Sequence, residues 1–460
     1  MMPDRIVVLD IGKTNAKLVL LDLISGEVIW ADERPSPAVK ADPVDQLDVH
    51  GIEAWVVDCL AALPEPARIG TIVPVAHGAA AVLLDSDGEV VSAPDYEDER
   101  QAVVAAEYAP LRDPFSATFS PDIPPALNVG RQFFYLQTRH PESWARVATA
   151  VPYAQYWAWR LSGVVADNLT TLACHSDLWR PMERRWTDLA VRQGWNTLFG
   201  PLRDCGDTLG PIRPELAAHT GLLATTRVLC GIHDSNASYL CHRVARPDDA
   251  TLAVLSSGTW CVILARGVDF TRLVEARDML ANVDAFGEPT ATAKFMGGRE
   301  YATIAGPDAP APDFAGLAEV LRSDAMALPR FASGGPFPGA HGAIVGADDL
   351  TQGGRAALAS LYVALVADVA LDLLGSSGTV VVDGPLGASL VFPGLLQALR
   401  PNSQVMIPSE RAGAALAGRW LADPGTIMPQ SLHAVAATTI EGLDALRRRW
   451  RQALPAQYGR

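Results

Sequence analysis

Two strand–turn–strand segments, set far apart in the chain, constrain its fold most. The first is IVVLDIGKTNAKLVLLD over residues 6–22, and the second is TLAVLSSGTWCVIL over residues 251–264. Each joins two apolar runs through a short polar turn, one holding Gly12 and the other Gly258. Turns rich in Gly, Ser and Thr point consecutive backbone N–H groups into one concavity, and such a nest accepts phosphate oxygens. Glycine allows the tight path and the close approach of a ligand. Thr14, Asn15, Ser256, Ser257 and Thr259 add side-chain donors, and Lys13 and Lys17 bring positive charge to the first turn. Asp10 ends the first strand and is suited to Mg²⁺, an ion that takes carboxylate, water and phosphate oxygens. One such turn alone is more simply an ordinary hairpin. Two, in opposite halves of the chain, point to a two-lobed phosphotransferase.

Between them stands GIHDSNAS over residues 231–238, a polar string behind the apolar Val228-Leu229-Cys230. The chemistry is expected in that string. The plainer role for Asp234 is a helix N-cap or turn residue, because Asp-Ser-Asn is turn-prone. Two rival motifs are excluded. Gly12-Lys13-Thr14 resembles the end of a P-loop, but that motif requires another glycine where Val7 stands. No strand is followed by a convincing Gly-x-Gly-x-x-Gly, so nicotinamide chemistry lacks support.

A chain of 460 residues, 49% hydrophobic, suggests about two to four domains. Two large lobes, 1–242 and 243–460, are the economical division. The net charge of −15 and a pI near 5.0 argue against partners such as nucleic acid or anionic membranes. They leave room for a single nucleotide, which needs only a local nest and a metal. The start, MMPDR running directly into a strand, has no apolar signal region, so a cytoplasmic location is expected. The six cysteines show no Cys-x-x-Cys or zinc-like spacing and read as reduced structural thiols. The apolar stretch Ala356 to Leu374 contains Asp368 and Asp372 and reads as a core helix.

Along the chain, Ile52 to Leu63 has helical spacing, and Arg68 to Ala76 reads as a buried strand leading into His77-Gly78-Ala79. Ala80 to Leu84 and Glu89 to Ser92 predict a hairpin around Asp85-Ser86-Asp87-Gly88. Residues 113–125 suggest an ordered loop. Residues 127–223 look mostly helical, and their many Trp and Tyr residues read as core before sugar platform. A strand at Thr379 to Val382 running into Asp383-Gly384-Pro385-Leu386-Gly387 repeats the ligand-edge pattern, and Gly306 to Pro312 and Ser333 to Gly342 read as surface loops.

These residues resemble the FGGY carbohydrate kinases, of the actin, sugar kinase and Hsp70 superfamily, over nearly the whole chain. Asp10-x-Gly12-x-Thr14-Asn15 is similar to the first phosphate motif of that family, Ser256-Ser257-Gly258-Thr259-Trp260 to the second, and Glu410-x-Ala412-Gly413-Ala414-Ala415 to its late adenosine-side signature. Gly231-x-His233-Asp234-Ser235-Asn236-Ala237 resembles the catalytic segment of L-rhamnulose and L-fuculose kinases in particular.

The resemblance implies an α/β fold of two ribonuclease-H-like lobes with sugar and ATP in the cleft between them. It makes Asp234 the general base toward a sugar hydroxyl, a role that suits phosphoryl transfer, which is chiefly positioning and charge stabilisation. Gly78 falls where the family contacts the sugar, and His77-Gly78-Ala79 looks like the xylulose-kinase version of that segment. His77, Gly78, His233, Ser235, Asn128 and Gln132 are thus the sugar-site candidates, with Arg299-Glu300 behind them. Gly12, Lys13, Thr14, Asn15, Lys17, Ser257, Gly258, Thr259 and Gly384 are the nucleotide-site candidates, with Asp10 for Mg²⁺. Asp383-Gly384-Pro385 departs from the family's Gly-Gly-Gly run, and Ala388 stands where the family commonly has Asn. The expected activity is ATP-dependent phosphorylation of a ketose, L-rhamnulose first, to the 1-phosphate. L-Fuculose and a pentulose such as xylulose are the alternatives, and a catalytically silent sugar or nucleotide sensor is the rival of another class. Oligomeric state is left open, a homodimer included.

Overall fold

The computed structural model describes residues 3–409, 413–425, 431–455 and 458. The chain divides into two compact units. The first comprises Met1–Cys241 with Ala281–Pro289 and Gly413–Met428, and the second His242–Leu280, Thr290–Ala412 and Pro429–Arg460. The two short late segments that pack with the first unit lie in the half of the chain assigned above to the second lobe.

In the first unit, strands β1 (Arg5–Ile11) and β2 (Asn15–Asp22) form the first hairpin, with β3 (Val28–Pro35) continuing antiparallel at the edge. β3 was not expected: its sequence VIWADERP lacks alternation, and most of it is exposed. On the other side β1 pairs in parallel with β4 (Ile69–Ala76), a strand buried along nearly its whole length, as parallel strands covered on both faces are. Beyond β4 lie β5 (Thr208–Pro211) and β6 (Arg227–Leu229), giving the order β5-β6-β4-β1-β2-β3. The short β7 (Ile232–His233) also pairs in parallel with β4 and runs directly into helix α2 (Asp234–Ala245), one of two numbered here with α1 (Tyr153–Ser162). Of the aromatic residues in 127–223, Tyr153, Tyr156, Trp157 and Trp195 are wholly buried core. That region is less helical than its composition suggests. Thr149–Pro152 is a strand paired with Ala81–Leu84, which itself forms the expected hairpin with Val90–Ser92. Pairing partners so far apart leave no local signal. A four-residue helix, Phe115–Thr118, interrupts the predicted loop.

The second unit repeats the order of the first four strands. β8 (Leu252–Ser257) and β9 (Cys261–Arg266) form the second hairpin, and β10 (Pro289–Phe295) continues antiparallel. β8 pairs in parallel with β11 (Thr379–Asp383), followed by β12 (Gln404–Pro408) and β13 (Leu432–Ala434). Helix α3 (Gln352–Leu374) is apolar on all faces and therefore buried. Among the described residues it is the one helix long and apolar enough to cross a bilayer, yet 89% of its apolar window is enclosed. It is the core helix that Asp368 and Asp372 suggested. All six cysteines are buried free thiols.

Asp368 shows how that helix tolerates a buried carboxylate. Its oxygens lie 3.1 Å from Arg400, 2.6 Å from Arg447 and 3.0 Å from Arg451, the last two on α4 (Leu443–Ala453). Burial nevertheless pushes the carboxyl up, against the three guanidinium charges. Removing one partner of a buried ion network leaves uncompensated charge, a loss of about 3–5 kcal/mol. Asp368→Ala is expected to lower stability by that amount in urea denaturation. Arg449→Ala, which breaks an exposed pair with Asp324, is expected to cost less than about 1 kcal/mol.

Candidate active site

Register brings the chemistry together in the first unit. On β1, Asp10 lies beside Val75 of β4 and opposite Lys17 of β2; on β7, Ile232 also pairs with Val75 and His233 with Ala76. The ends of three strands therefore deliver Asp10, His77 and His233-Asp234 to one edge of the sheet. This is the crevice position where ligands bind in open α/β sheets.

Asp234 begins α2 with its two oxygens in different surroundings. Oδ1 accepts from the Ser235 backbone N–H at 2.5 Å and from the Ser235 hydroxyl at 3.2 Å, and lies 3.1 Å from His233 Nε2. Oδ2 takes no hydrogen bond from the described residues, and the side chain is about one-third exposed, at 36%. Burial opposes ionisation of this carboxyl, but His233 and the Ser235 N–H outweigh it and hold it below the usual carboxylate range. Burial would likewise lower His233, yet the neighbouring Cys174 sulfur, 3.9 Å away, and Asp234 push the imidazole up to about 10. An anionic carboxylate with one unoccupied oxygen is what a general base requires.

Asp10 is the counterpart. Burial and then the charge of Asp234 push its carboxyl up to about 7, with Lys17 pulling the other way. Two carboxylates in one field make a hard-oxygen site that a divalent ion would stabilise. Among the described residues no group of three or more His, Cys, Asp or Glu forms a closed metal cage. That fits Mg²⁺, which usually keeps waters and takes one or two carboxylates with substrate phosphates.

His77 follows β4, buried against Tyr153 at 4.7 Å and Tyr96 at 5.8 Å between ring centroids. Its Nδ1 lies 2.8 Å from the Gly78 carbonyl, which can only accept, so Nδ1 carries the proton and Nε2 is an acceptor. Burial lowers its pKa and keeps the ring neutral. At Gly78 an added Cβ would stand 2.8 Å from Cys174 Sγ and 3.0 Å from His233 Nε2, so only glycine fits there. Asn128 is wholly enclosed. Its amide donates to Ser120, Pro121 and Asp177, tying down a loop. Gln132, also enclosed, donates to the carbonyls of Ala79 and Ala126, so it supports the backbone beside Gly78 from below. In the turn, Gly12 N–H donates to Asn15 O at 3.0 Å, and Thr14, Asn15 and Lys17 are exposed. Lys13 is drawn aside to Asp95 at 3.0 Å and Glu97 at 3.4 Å, above the Tyr96 ring.

The second unit holds the other candidates. Gly258 and Thr259 are exposed in the β8–β9 turn, which closes through Gly258 N–H to Trp260 O at 2.9 Å. Ser257 is a strut: its hydroxyl donates to Asp383 O at 2.6 Å and accepts from Leu386 N at 3.0 Å. Gly384 has φ +80°, and a Cβ there would meet Ser257 O at 2.2 Å. Beneath the loop, His242 Nε2 lies 3.0 Å from Asp383 Oδ2, both buried. The loop opens onto a cavity of about 1380 Å³ lined by Gly384, Ala388, Leu390, Phe314, Leu321 and Ile440 among others. Glu300, a weaker sugar-site candidate, is buried and accepts from the N–H groups of Phe331 and Ala332. Of the late signature, Glu410 and Ala412 lie outside the described residues, while Ala414 and Ala415 open a helix, Ala414–Ala422. Sequence reading passed over Asp95, Tyr96, Cys174, His242 and Asp383 as site residues. Each gains its role from a contact 59 or more residues away, and no local pattern marks such contacts.

Residues 249–430 match the family model of the carbohydrate kinase FGGY C-terminal domain. The whole chain is similar to a carbohydrate kinase from Novosphingobium aromaticivorans, with 38% identity, 98% of each chain covered and a TM-score of 0.88. A xylulose kinase from Rhodospirillum rubrum, 20% identical, superposes with a TM-score of 0.77 over 97% of this chain and 98% of that one. Glycerol kinase from Plasmodium falciparum, solved with ADP, is 12% identical and superposes with a TM-score of 0.74 over 97% and 92%. A search of curated proteins finds no match. These likenesses give both units their fold, the actin-like α/β arrangement of two mixed sheets.

Burial of Asp10, with the Asp234 charge added to it, has a measurable cost. An unperturbed Asp titrates at 3.8 and the folded Asp10 near 7. Between these values the unfolded chain has released a proton that the folded chain keeps, so this group's contribution to stability falls as pH rises through that window and levels off above it. Asp10→Asn is expected to be near neutral at pH 4 and to gain on the order of 2–4 kcal/mol over the parent by pH 8. Urea denaturation across that pH range reads it, and a gain that does not grow with pH would contradict the assignment.

Proposed function

The chain belongs to the FGGY carbohydrate kinase family and is a carbohydrate kinase, and from that premise we propose that it transfers the γ-phosphoryl group of ATP to a ketose, L-rhamnulose first, giving the 1-phosphate. The observation that carries the reading is the asymmetry of Asp234: Oδ1 is saturated by Ser235 and His233, and Oδ2 is free to take a proton.

In this reading Asp234 Oδ2 accepts the proton of the attacking sugar hydroxyl as that oxygen bonds to the γ-phosphorus. The bond from phosphorus to the bridging oxygen breaks, and ADP leaves with the electron pair. His233 and Ser235 hold the carboxylate in orientation throughout. His77 Nε2 accepts a hydrogen bond from a second sugar hydroxyl, and Gly78 leaves the space in which His233 sits. In the first unit the donor-rich turn at Gly12–Asn15, with Lys17, and in the second the turn at Ser257–Thr259, with Gly384, each offer donors to phosphate oxygens, and the apolar cavity beside Gly384 suits an adenosine. Asp10 would hold Mg²⁺, which supplies charge neutralisation on the phosphate oxygens. Xylulose is the nearest alternative acceptor, favoured by the His77-Gly78-Ala79 segment; L-fuculose is the other.

The test is ADP release from Mg²⁺ and ATP over a panel of L-rhamnulose, L-fuculose, xylulose, ribulose and glycerol. Asp234→Ala should lower turnover by roughly 10²- to 10⁴-fold with the fold intact. Silence of the parent across the panel would favour the sensor instead. Gly78→Ala should reduce kcat by about 10- to 100-fold through displacement of His233, with a smaller change in ATP KM. Activity near that of the parent would show that this spacing is not critical.

A further inference from the structure

Behind the Gly384 loop lies a buried pair that touches neither sugar nor phosphate in the reading above. His242, the residue at which the second unit begins, is wholly enclosed, and its Nε2 stands 3.0 Å from Asp383 Oδ2. A carboxylate oxygen can only accept, so Nε2 carries the proton and donates it to this bond. His242 Nδ1 is buried with no hydrogen-bond partner among the described residues. An imidazole enclosed for one hydrogen bond is a poor choice for stability alone, since an apolar side chain would fill the space without stranding a nitrogen. Such local inconsistencies gather where function is served. Asp383, at the end of β11, is the hub of this corner. Its Oδ1 accepts from Gly384 N at 2.7 Å, and its carbonyl accepts from the Ser257 hydroxyl at 2.6 Å. The carboxylate therefore holds the first peptide of the loop from behind while its other oxygen is anchored on helix α2. The path onward has no slack. Gly384 takes φ +80°, Gly387 N donates back to Gly384 O at 3.1 Å, and a Cβ on Gly387 would collide with Val382 O. The loop so set supplies Gly384, Gly387 and Ala388 to the wall of the apolar cavity.

We propose that His242 is a positioning residue for the donor nucleotide: by donating to Asp383 Oδ2 it fixes the carboxylate that holds Gly384, and so sets the loop wall against which the nucleotide packs. The proposal rests on the reading that the nucleotide occupies the cavity beside Gly384. A wall made of glycine and alanine backbone has no long side chain that could take up a shift, so a displacement of Asp383 passes directly to the surface that the ligand meets. Partners one layer behind a binding group act in this way at metal sites, where their loss costs about 10- to 100-fold. The Ser257 hydroxyl is the second brace, since it donates to Asp383 O and accepts from Leu386 N at 3.0 Å. It ties the loop to β8, and His242 ties it to α2, so the two braces hold it from different elements.

Two measurements on the full chain test this, with ADP and excess Mg²⁺ as the probe. In calorimetric titration His242→Leu, which removes the donor, should weaken ADP binding by about 10- to 100-fold, and His242→Gln, whose amide nitrogen can donate in its place, should stay within about threefold of the parent. Unfolding temperatures of the three proteins are read beside the affinities. A purely structural His242 would lower the unfolding temperature and leave the ADP affinity of the folded protein in place, which overturns the proposal. A loss in His242→Gln as large as that in His242→Leu overturns it too. The second measurement is made on the parent, labelled with ¹⁵N at histidine, the signal being identified by its loss in His242→Gln. His242 Nε2 should carry a proton, and its signal should move when ADP is added. An unprotonated Nε2, or a signal that ADP leaves in place, overturns the proposal even if His242→Leu does not fold. A parent that binds no ADP removes the nucleotide reading of the cavity and the proposal with it, whereas ADP binding that is indifferent to His242→Leu removes the proposal alone.

Discussion

Parallel pairing onto β4 is the constraint on which the site depends. A strand held on both sides in parallel aligns the carboxyl ends of its neighbours, and here those neighbours come from residues 5–11 and 232–233. Asp10 and Asp234 come to one edge of the sheet because Ile232 and Asp10 both register with Val75. Antiparallel pairing at either place would carry one carboxylate to the far end of the sheet. The β1–β2 hairpin then adds a polar turn to the same edge, because its two strands stay in register from Arg5–Asp22 to Ile11–Ala16.

The site built on that edge sets opposing electrostatic demands. Asp234 must be anionic to act as a base, and His233 and Ser235 make it so despite burial. That charge adds to burial, the larger cause, in pushing the Asp10 carboxyl up to about 7. Function therefore resides in an arrangement that stability alone would not select. The surrounding protein limits the damage with hydrogen bonds: Lys13 is occupied by Asp95 and Glu97, and Asn128 and Gln132 lock the loops beside His77. The Asp368 network on α3 is the structural counterpart, a buried carboxylate with three arginines and no catalytic partner.

Both hairpins, β4, β11 and the core helix were legible in the sequence, because each is a continuous segment whose pattern is local. The candidate residues were legible where a motif put several of them in one string, as at residues 10–17 and 231–238. What escaped was set by distance along the chain. β3 carries polar residues at an exposed edge and has no alternation to read. The strands inside residues 127–223 exist through pairings such as Ala81 with Pro152. Asn236 was visible in its string, but its contact with the Thr170 carbonyl, 66 residues away in sequence, was not. Asn128 and Gln132 were singled out as sugar-site candidates, and the fold instead gives their enclosed amides backbone and loop contacts that no local pattern marks.

The same order of a hairpin, its antiparallel neighbour and its parallel partner occurs twice in the chain, and corresponding positions bear different chemistry. Where the first sheet ends in Asp10 beside Val75, the second ends in Ser256 beside Asp383. The parallel neighbour's acid is spent in the second unit on a buried pair with His242. One copy of the pattern thus retains an ionisable cluster at its rim, and the other has turned its rim into a neutral, hydroxyl-braced loop over an apolar cavity. In the reading proposed above the first rim serves the acceptor and the second the donor, so the two preferences would rest on separate sheets and could diverge separately.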